Sequence, residues 1–187
     1  MIGEKQKHVK ILRNTRKIHR YSGIFLFVFL FAVGTTGLLL GWKKNTGGLI
    51  LAHTAQGSSN DPKDWISLDS LVQQVVSNQM SQKDGRDLVE IDRMEIRPEK
   101  GIVKVTFKNN YKGLQLDATT GKVLKEEYRY SDLIEHIHDG TWMDRMVANK
   151  YGIFKLVYVT LCGMGLLIFT VTGFWLWYGP KVIKRYK

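Results

Sequence analysis

Two long apolar runs, one near each end of the chain, dominate its pattern of hydrophobic and polar positions. One extends from Ile24 to Trp42 and the other from Leu156 to Tyr178, and neither contains a charged residue. They hold about 19 and about 23 residues, and a helix crosses a bilayer with about 20. The second run ends in Trp175, Trp177 and Tyr178 before a basic tail, like an aromatic belt at a membrane surface. The pattern therefore predicts two transmembrane helices.

Between these runs the hydrophobic period predicts a small α+β domain. From Ser67, a predicted N-cap, apolar residues recur at helical spacing as far as Val76. The period then becomes two, which is typical of strands. The predicted strands are Leu88 to Arg97, Ile102 to Lys108, Tyr111 to Asp117 and Lys122 to Tyr128. Turns at 98–101 and 118–121 join them as an antiparallel meander that buries one face under the helix.

Two shorter elements flank this domain. Leu49 to His53 is a strand candidate within a Gly- and Ser-rich linker that extends from Lys43 to Asp64. Residues 130–142 predict a short helix that is capped by Ser131 and stopped by Gly140.

The predicted fold class is a membrane α-helical hairpin of two transmembrane helices that carries a small α+β domain outside the membrane. The chain of 187 residues has room for one such domain. The predicted division is a cytoplasmic basic amphipathic segment (1–22), a first transmembrane helix (23–42), an extramembrane domain with its linker (43–150), a second transmembrane helix (151–179) and a cytoplasmic basic tail (180–187).

The net charge of +11 is concentrated beside the apolar runs. Lysines and arginines are frequent in residues 5–20 and again after Pro180. Short basic flanks of membrane spans stay in the cytoplasm, so both termini are predicted inside and the middle of the chain outside. The basic segment could instead be an arm that binds nucleic acid. The apolar run that follows it makes the flank of a membrane span the better interpretation. The first run is longer than a signal-peptide core, and Gly41, Trp42 and Lys43 form no cleavage site.

Small residues interrupt both apolar runs. They cluster at 34–37 in the first run and include Gly163, Gly165 and Gly173 in the second. In membrane helices such residues admit another helix or a planar cofactor at close distance, and helix packing is the default. The single cysteine, Cys162, rules out an intrachain disulfide, and we interpret it as a packing residue.

Three histidines lie near the predicted membrane surfaces. His19 precedes the first run by about one helical turn, and His136 and His138 precede the second run on the opposite side. Each is either an interfacial polar residue or a metal ligand. A zinc site built from His136, His138, Asp139 and Asp144 is another hypothesis, but its spacing matches no structural zinc pattern.

The remaining candidates favour structural roles. His8 and His53 stand apart and are predicted to be solvated. Trp142, Trp175 and Trp177 are predicted to be interface anchors rather than electron relays. The sequence shows no flavin or nicotinamide motif, and its predicted α+β domain shows no nucleophile, acid pair or phosphate-binding loop.

Four short segments together resemble one known family. LQLDATTGKVL (114–124) resembles the closing hairpin of PepSY domains. RKIHRYSG (16–23), IHDG (137–140) and VTGFWLWYGPK (171–181) resemble corresponding segments of the PepSY-associated transmembrane-helix family. The resemblance covers most of the chain in the right order. It implies a bacterial inner-membrane protein whose PepSY domain lies in the periplasm.

The resemblance also implies a cofactor, haem b. Related ferric-siderophore reductases of the inner membrane carry haem on histidines near both membrane faces. By position these axial ligands of the haem iron are His19 and His138, with His136 as the alternative outer ligand. Arg16 and Arg20 are candidate partners of haem propionates, although they also serve as topology charges.

The number of spans departs from those reductases, which generally have four or more. His19 and His138 are predicted on opposite membrane faces, about 30 Å or more apart, and cannot share one iron. Haem binding therefore requires a homodimer or a larger membrane complex. Two copies would form a four-helix bundle.

Two functions follow from these predictions. In the first, the protein passes electrons across the membrane to a periplasmic acceptor such as a ferric siderophore, as a ferric reductase or an electron-transfer subunit. In the second, it is a haem-free PepSY membrane anchor that binds or regulates a partner protein complex through a charged sheet edge at Lys104, Lys108 and Lys112. Membrane lipid is the expected neighbour in both, and nucleic acid is expected in neither.

Overall fold

The fold is described from a computed structural model that covers residues 2–82, 90–108, 110–149 and 151–185. The elements in chain order are α1 (Ile2–Trp42), α2 (Leu68–Gln82), β1 (Ile91–Arg97), β2 (Ile102–Phe107), β3 (Lys112–Asp117), β4 (Val123–Tyr128), α3 (Tyr130–His138), α4 (Thr141–Met146) and α5 (Ile153–Lys184). They form two compact units, one of residues 1–38 and 136–187 and one of residues 39–135.

The first unit is built on the two long helices α1 and α5. Each contains a stretch apolar enough to cross a membrane, and only 11% of that stretch in α1 and 17% in α5 is buried within the chain. A core helix of a soluble protein would be mostly buried, so these apolar surfaces are suited to lipid or to other protein chains. This confirms the predicted membrane hairpin.

The two helices run antiparallel and meet along a narrow seam. Leu26, which is 5% exposed, packs onto Gly165, where an added Cβ atom would overlap the leucine side chain. A Cβ atom at Gly23 would lie 3.3 Å from the Phe169 ring, and one at Gly179 would lie 3.1 Å from Leu12. Of the small residues singled out in the sequence, Gly165 therefore serves close helix packing, whereas an added Cβ atom at Gly34 or Gly163 would meet nothing within 4 Å.

The start of α5 is fixed by a carboxylate from the preceding helix. Asp144 on α4 is 6% exposed and accepts hydrogen bonds from the backbone N–H groups of Phe154 at 3.1 Å and Lys155 at 2.7 Å. These are N–H groups of the first turn, which have no partner inside the helix. The same carboxylate also accepts a bond from the Asn149 side chain at 2.9 Å.

The second unit is the predicted α+β domain. Its four strands form one antiparallel sheet in the order β1-β2-β3-β4, with Val105 opposite Leu114 at its centre. α2 covers one face, and Ser67 caps this helix by accepting a bond from the Ser70 N–H at 3.1 Å. The core comprises Leu71, Val75, Val103, Val105, Phe107, Leu114, Leu116 and Ala118. The helix, its cap and the meander are confirmed; Leu88 and Val89 of the first predicted strand lie outside the described residues.

The linker covers the other face of the sheet. The Ala55 N–H donates to Gln115 Oε1 at 2.7 Å, and Ser58 donates to Asp117 from its N–H at 3.0 Å and its hydroxyl at 2.5 Å. Burial alone would raise the Asp117 pKa, but these bonds and the N–H groups of Thr119 and Thr120 outweigh it and lower the pKa. The PepSY-like LDATTG segment thus ties the turn after β3 to the linker.

The structure corrects three details of the sequence interpretation. Residues 49–53 form no strand, because left-handed backbone at Gly47 and Gly48 precedes them and the Ile50 carbonyl accepts a bond from Ser131 instead of a strand neighbour. α3 begins at Tyr130, so Ser131 is a residue of the helix and not the cap that precedes it, and its side chain is buried. Lys104 is 9% exposed on the inner strand β2, so it is not part of a charged sheet edge.

Candidate functional site

His19 is held against α5 at the terminal end of the helix pair, the end that contains residues 3–23 and 169–184. Its Nδ1 lies 2.7 Å from Thr172 Oγ1, and its half-buried ring meets the edge of Phe169 with centroids 4.9 Å apart. Thr172 in turn donates its hydroxyl proton to the Ile168 carbonyl at 2.5 Å.

These contacts assign the tautomer of His19. A hydroxyl has one proton, and Thr172 uses it on the backbone, so its oxygen accepts a bond from Nδ1–H of the imidazole. In a neutral imidazole of this tautomer Nε2 carries the lone pair. Within the described residues this atom has no hydrogen-bond partner.

His138 makes the corresponding contact at the other end of the helix pair. We call this the junction end; it contains residues 29–38, 136–146 and 153–162. It is the last residue of α3, and its Nδ1 lies 2.9 Å from Thr36 Oγ1. Thr36 is 8% exposed and donates to the Ala32 carbonyl at 2.6 Å. His138 is therefore also the Nδ1–H tautomer, and its Nε2 has no partner in the described part of the chain.

A Thr-Gly pair forms each of these contacts. Thr36 and Thr172 are followed by Gly37 and Gly173. A Cβ atom at Gly37 would lie 3.4 Å from His138 Cε1, and one at Gly173 would lie 3.8 Å from His19 Cε1. A Cβ atom at either position would thus be in ordinary van der Waals contact with Cε1 of the imidazole. In the sequence the two pairs, Thr36-Gly37 and Thr172-Gly173, appear as a repeated dipeptide within the small-residue clusters of the two runs.

The two histidines are far apart. His19 and Thr36, the partner of His138, lie on the same continuous helix α1, and about 25 Å of helical rise separates them. One iron atom therefore cannot bind both imidazoles, as the sequence predicted.

An apolar groove lies beside the His19 contact. Its volume is about 630 Å³, within the range of small-molecule sites, and Thr172 is among its lining residues. The other lining residues are Ile11, Thr15, Thr170, Val171, Phe174 and Trp175.

Each end of the pair also holds a buried polar atom without a hydrogen-bond partner among the described residues. At the junction end one such atom is the Tyr158 hydroxyl oxygen, and Tyr158 packs against Gly140. At the terminal end one is Trp175 Nε1. Such atoms are uncommon in folded proteins.

The other predicted cofactor-binding residues lie near these contacts. Arg16 is exposed one turn before His19 on α1, and Arg20 is exposed with its guanidinium 5.4 Å from the centre of the Tyr21 ring. His136 lies in α3, two residues before His138, and is half-buried. His53 is exposed as predicted, whereas His8 is half-buried.

The two aspartates of the zinc hypothesis have other partners. Asp139 forms an ion pair with Lys155 and accepts a bond from the Thr141 N–H at 3.0 Å. Burial raises the pKa of Asp139, but these two partners outweigh it and lower the pKa. Asp144 caps α5. No group of three metal-binding side chains occurs in the described ranges.

A comparison with protein families identifies the chain. The family model described as "PepSY-associated TM region" matches residues 16–184. The chain belongs to the PepSY-associated TM family. No curated protein and no solved structure matches it. In this PepSY-associated TM protein, the matched region includes both His–Thr contacts.

Proposed function

We propose that this membrane protein binds haem b and passes electrons across the bacterial inner membrane to a periplasmic acceptor, such as a ferric siderophore. The observation that supports the proposal is the His–Thr contact at each end of the helix pair. A metal-ligating histidine normally donates its other ring N–H to an acceptor nearby, which fixes the tautomer and the ring orientation. His19 and His138 both have this form before any metal is considered.

The residues fit one half of each haem site. When two histidines hold the iron of a b-type haem, one imidazole binds on each side of the iron. One end of this helix pair offers His19 in the Nδ1–H form and the other end offers His138, so each end supplies one of the two ligands. A second copy of the chain would complete both sites and create a four-helix bundle with one haem near each membrane face. The largely exposed apolar surfaces of α1 and α5 are suited to such an assembly.

Haem, when bound, would supply reversible one-electron chemistry at its iron. The chain would hold the iron through Nε2 of His19 and His138, and the apolar residues that line the groove beside Thr172 would surround the cofactor at the terminal end. Arg16 and Arg20 would pair with its propionates. We rank His136 below His138 as the outer ligand because the Thr36 contact orients His138.

The basic end of the helix pair supports the proposed orientation. In the sequence, residues 3–23 and 169–184 contain nine lysines and arginines and one carboxylate, Glu4. Uncompensated lysines and arginines favour the cytoplasmic side. In this orientation both termini are cytoplasmic and the α+β domain is periplasmic.

The test is an absorption spectrum of the detergent-solubilised protein from haem-replete cells. We expect a Soret band and reduced-minus-oxidised bands. His19→Ala and His138→Ala should each remove about half of the haem, because each would remove both ligands of one site in the dimer. The exposed His53→Ala is the matched control and should leave the haem content unchanged. Full haem occupancy in both ligand variants, or a colourless wild-type protein, would contradict the proposal.

A second candidate function rests on the sheet. β4 is an edge strand; Tyr128 at its end is 43% exposed, and Tyr130 at the start of α3 is 48% exposed. Exposed edges bind extended segments of partner proteins. A haem-free anchor that regulates a partner complex through this edge is therefore the alternative, and a colourless preparation would favour it.

A further inference from the structure

We propose that Thr36 and Thr172 are positioning residues: each holds one histidine in its Nδ1–H tautomer and thereby presents Nε2 as the ligand atom. The tautomer assignment stands on hydrogen-bond geometry alone. Its consequence for an iron rests on the proposed function.

The two threonines act in the same way from different helices. Each hydroxyl donates back to the carbonyl four residues earlier, Ala32 for Thr36 and Ile168 for Thr172, and accepts from a histidine Nδ1–H on another helix. In the reverse direction the threonine hydroxyl would donate its proton to an unprotonated Nδ1. The threonine oxygen and the backbone carbonyl oxygen would then face each other without a proton between them, at 2.6 Å for Thr36 and 2.5 Å for Thr172. That arrangement is unfavourable.

Thr170 shows that a hydrogen bond from the threonine hydroxyl to its own helix is not sufficient to create a histidine contact. Its hydroxyl donates to the Leu166 carbonyl at 2.8 Å, as Thr172 does to Ile168, but it is exposed and has no histidine partner among the described residues. A threonine that only satisfies its own helix therefore exists two residues away on α5. Because Thr170 also lines the apolar groove, it is the matched control for the tautomer measurement and not for haem retention.

An acceptor on Nδ1–H makes the imidazole a more basic ligand, and loss of such an acceptor lowers metal affinity about 10- to 100-fold. A more basic ligand stabilises ferric over ferrous iron, so removal of the acceptor should raise the midpoint potential of that haem. We expect the larger effect at Thr36, because it is 8% exposed whereas Thr172 is half-buried.

The first experiment needs no haem. Nitrogen NMR of histidine-labelled apoprotein in detergent, at mildly alkaline pH, reports which ring nitrogen carries the proton. We expect His19 and His138 to be Nδ1–H tautomers in the wild type. Thr172→Val should change only His19 and Thr36→Val only His138, whereas Thr172→Ser, Thr36→Ser and Thr170→Val should change neither. A wild-type Nε2–H tautomer, or valine variants identical to wild type, would overturn the inference.

The second experiment uses the haem-loaded protein. We expect Thr36→Val and Thr172→Val each to raise the potential of one haem and weaken its retention, with rescue by serine. Unchanged potentials in both valine variants would refute the tuning role. If the wild-type protein holds no haem, the proposed function fails, and the NMR result still decides the tautomer assignment independently.

Discussion

At the scale of single residues, the chain uses short polar side chains to hold groups in one state. Thr36 and Thr172 fix the imidazole tautomers, and Asp117 collects four hydrogen bonds that bind the linker to the turn after β3. In both cases the residue is polar, at least one of its partners lies far away in the sequence, and its role becomes visible only when the two are brought together.

Asp117 should make the α+β domain sensitive to acid. Because its pKa is lower in the folded domain than in the unfolded chain, its ionised form stabilises the fold at neutral pH. That contribution should be lost as the pH falls below about 4 and through the folded pKa. Asp117→Asn should cost about 1.5–3 kcal/mol at neutral pH, because it removes hydrogen bonds to a charged acceptor.

Hydrogen exchange checks this prediction. At neutral pH the amides of residues 55–60 should exchange faster in Asp117→Asn than in the wild type, and the difference should shrink in acid. Asp69→Asn, at an exposed carboxylate on α2, is the control. A difference between wild type and Asp117→Asn that persists undiminished in acid would contradict the assigned role of the charge.

At the scale of elements, the seam between α1 and α5 determines whether His19 can reach Thr172. The helices approach closely where glycine removes a side chain, above all at Gly165 beneath Leu26. The apolar stretches of both helices are otherwise largely exposed. A small number of packing contacts therefore places the histidine against its threonine.

A larger side chain at Gly165 should separate the two helices. Gly165→Leu places atoms where Leu26 packs, and overpacking of this kind costs about 1–3 kcal/mol. We expect a lower midpoint of thermal unfolding in detergent and loss of the His19–Thr172 contact in the NMR experiment. Gly163→Leu is the control, because no atom lies within 4 Å of its added Cβ. Adding Leu26→Ala to Gly165→Leu should partly restore the midpoint of thermal unfolding. Equal midpoints for Gly163→Leu and Gly165→Leu would contradict the proposed packing between α1 and α5.

At the scale of the whole molecule, the helix pair carries two similar His–Thr contacts, one at each end, and the α+β domain has a core of its own. Each site contributes one imidazole nitrogen, so assembly with another chain is part of the proposed mechanism. The family match and the two apolar helices identify a membrane protein, and its orientation is open to direct test.

The orientation predicts which cysteines a membrane-impermeant maleimide will label in intact spheroplasts. Cys162 is the only native cysteine and is buried, so the background should be low. Lys63→Cys, at an exposed position in the α+β domain, should be labelled, and Lys5→Cys should be labelled only after lysis. Labelling of Lys5→Cys alone in intact spheroplasts would reverse the proposed orientation.

The sequence by itself determined the elements and the architecture. Apolar run length defined the spans, a period of two defined the strands, and His19 and His138 were found because their segments resemble a family. These features depend on residues that are close together in the chain, so the pattern of hydrophobicity along the sequence is enough to detect them.

Only the tertiary structure decided how the candidate residues are used. It paired His19 with Thr172 and His138 with Thr36, assigned both tautomers, committed Asp144 to a helix cap, and buried Lys104 in the sheet. These outcomes depend on contacts between residues far apart in the chain. A hydrogen bond requires two partners in one geometry, and the sequence alone supplies no distance between them.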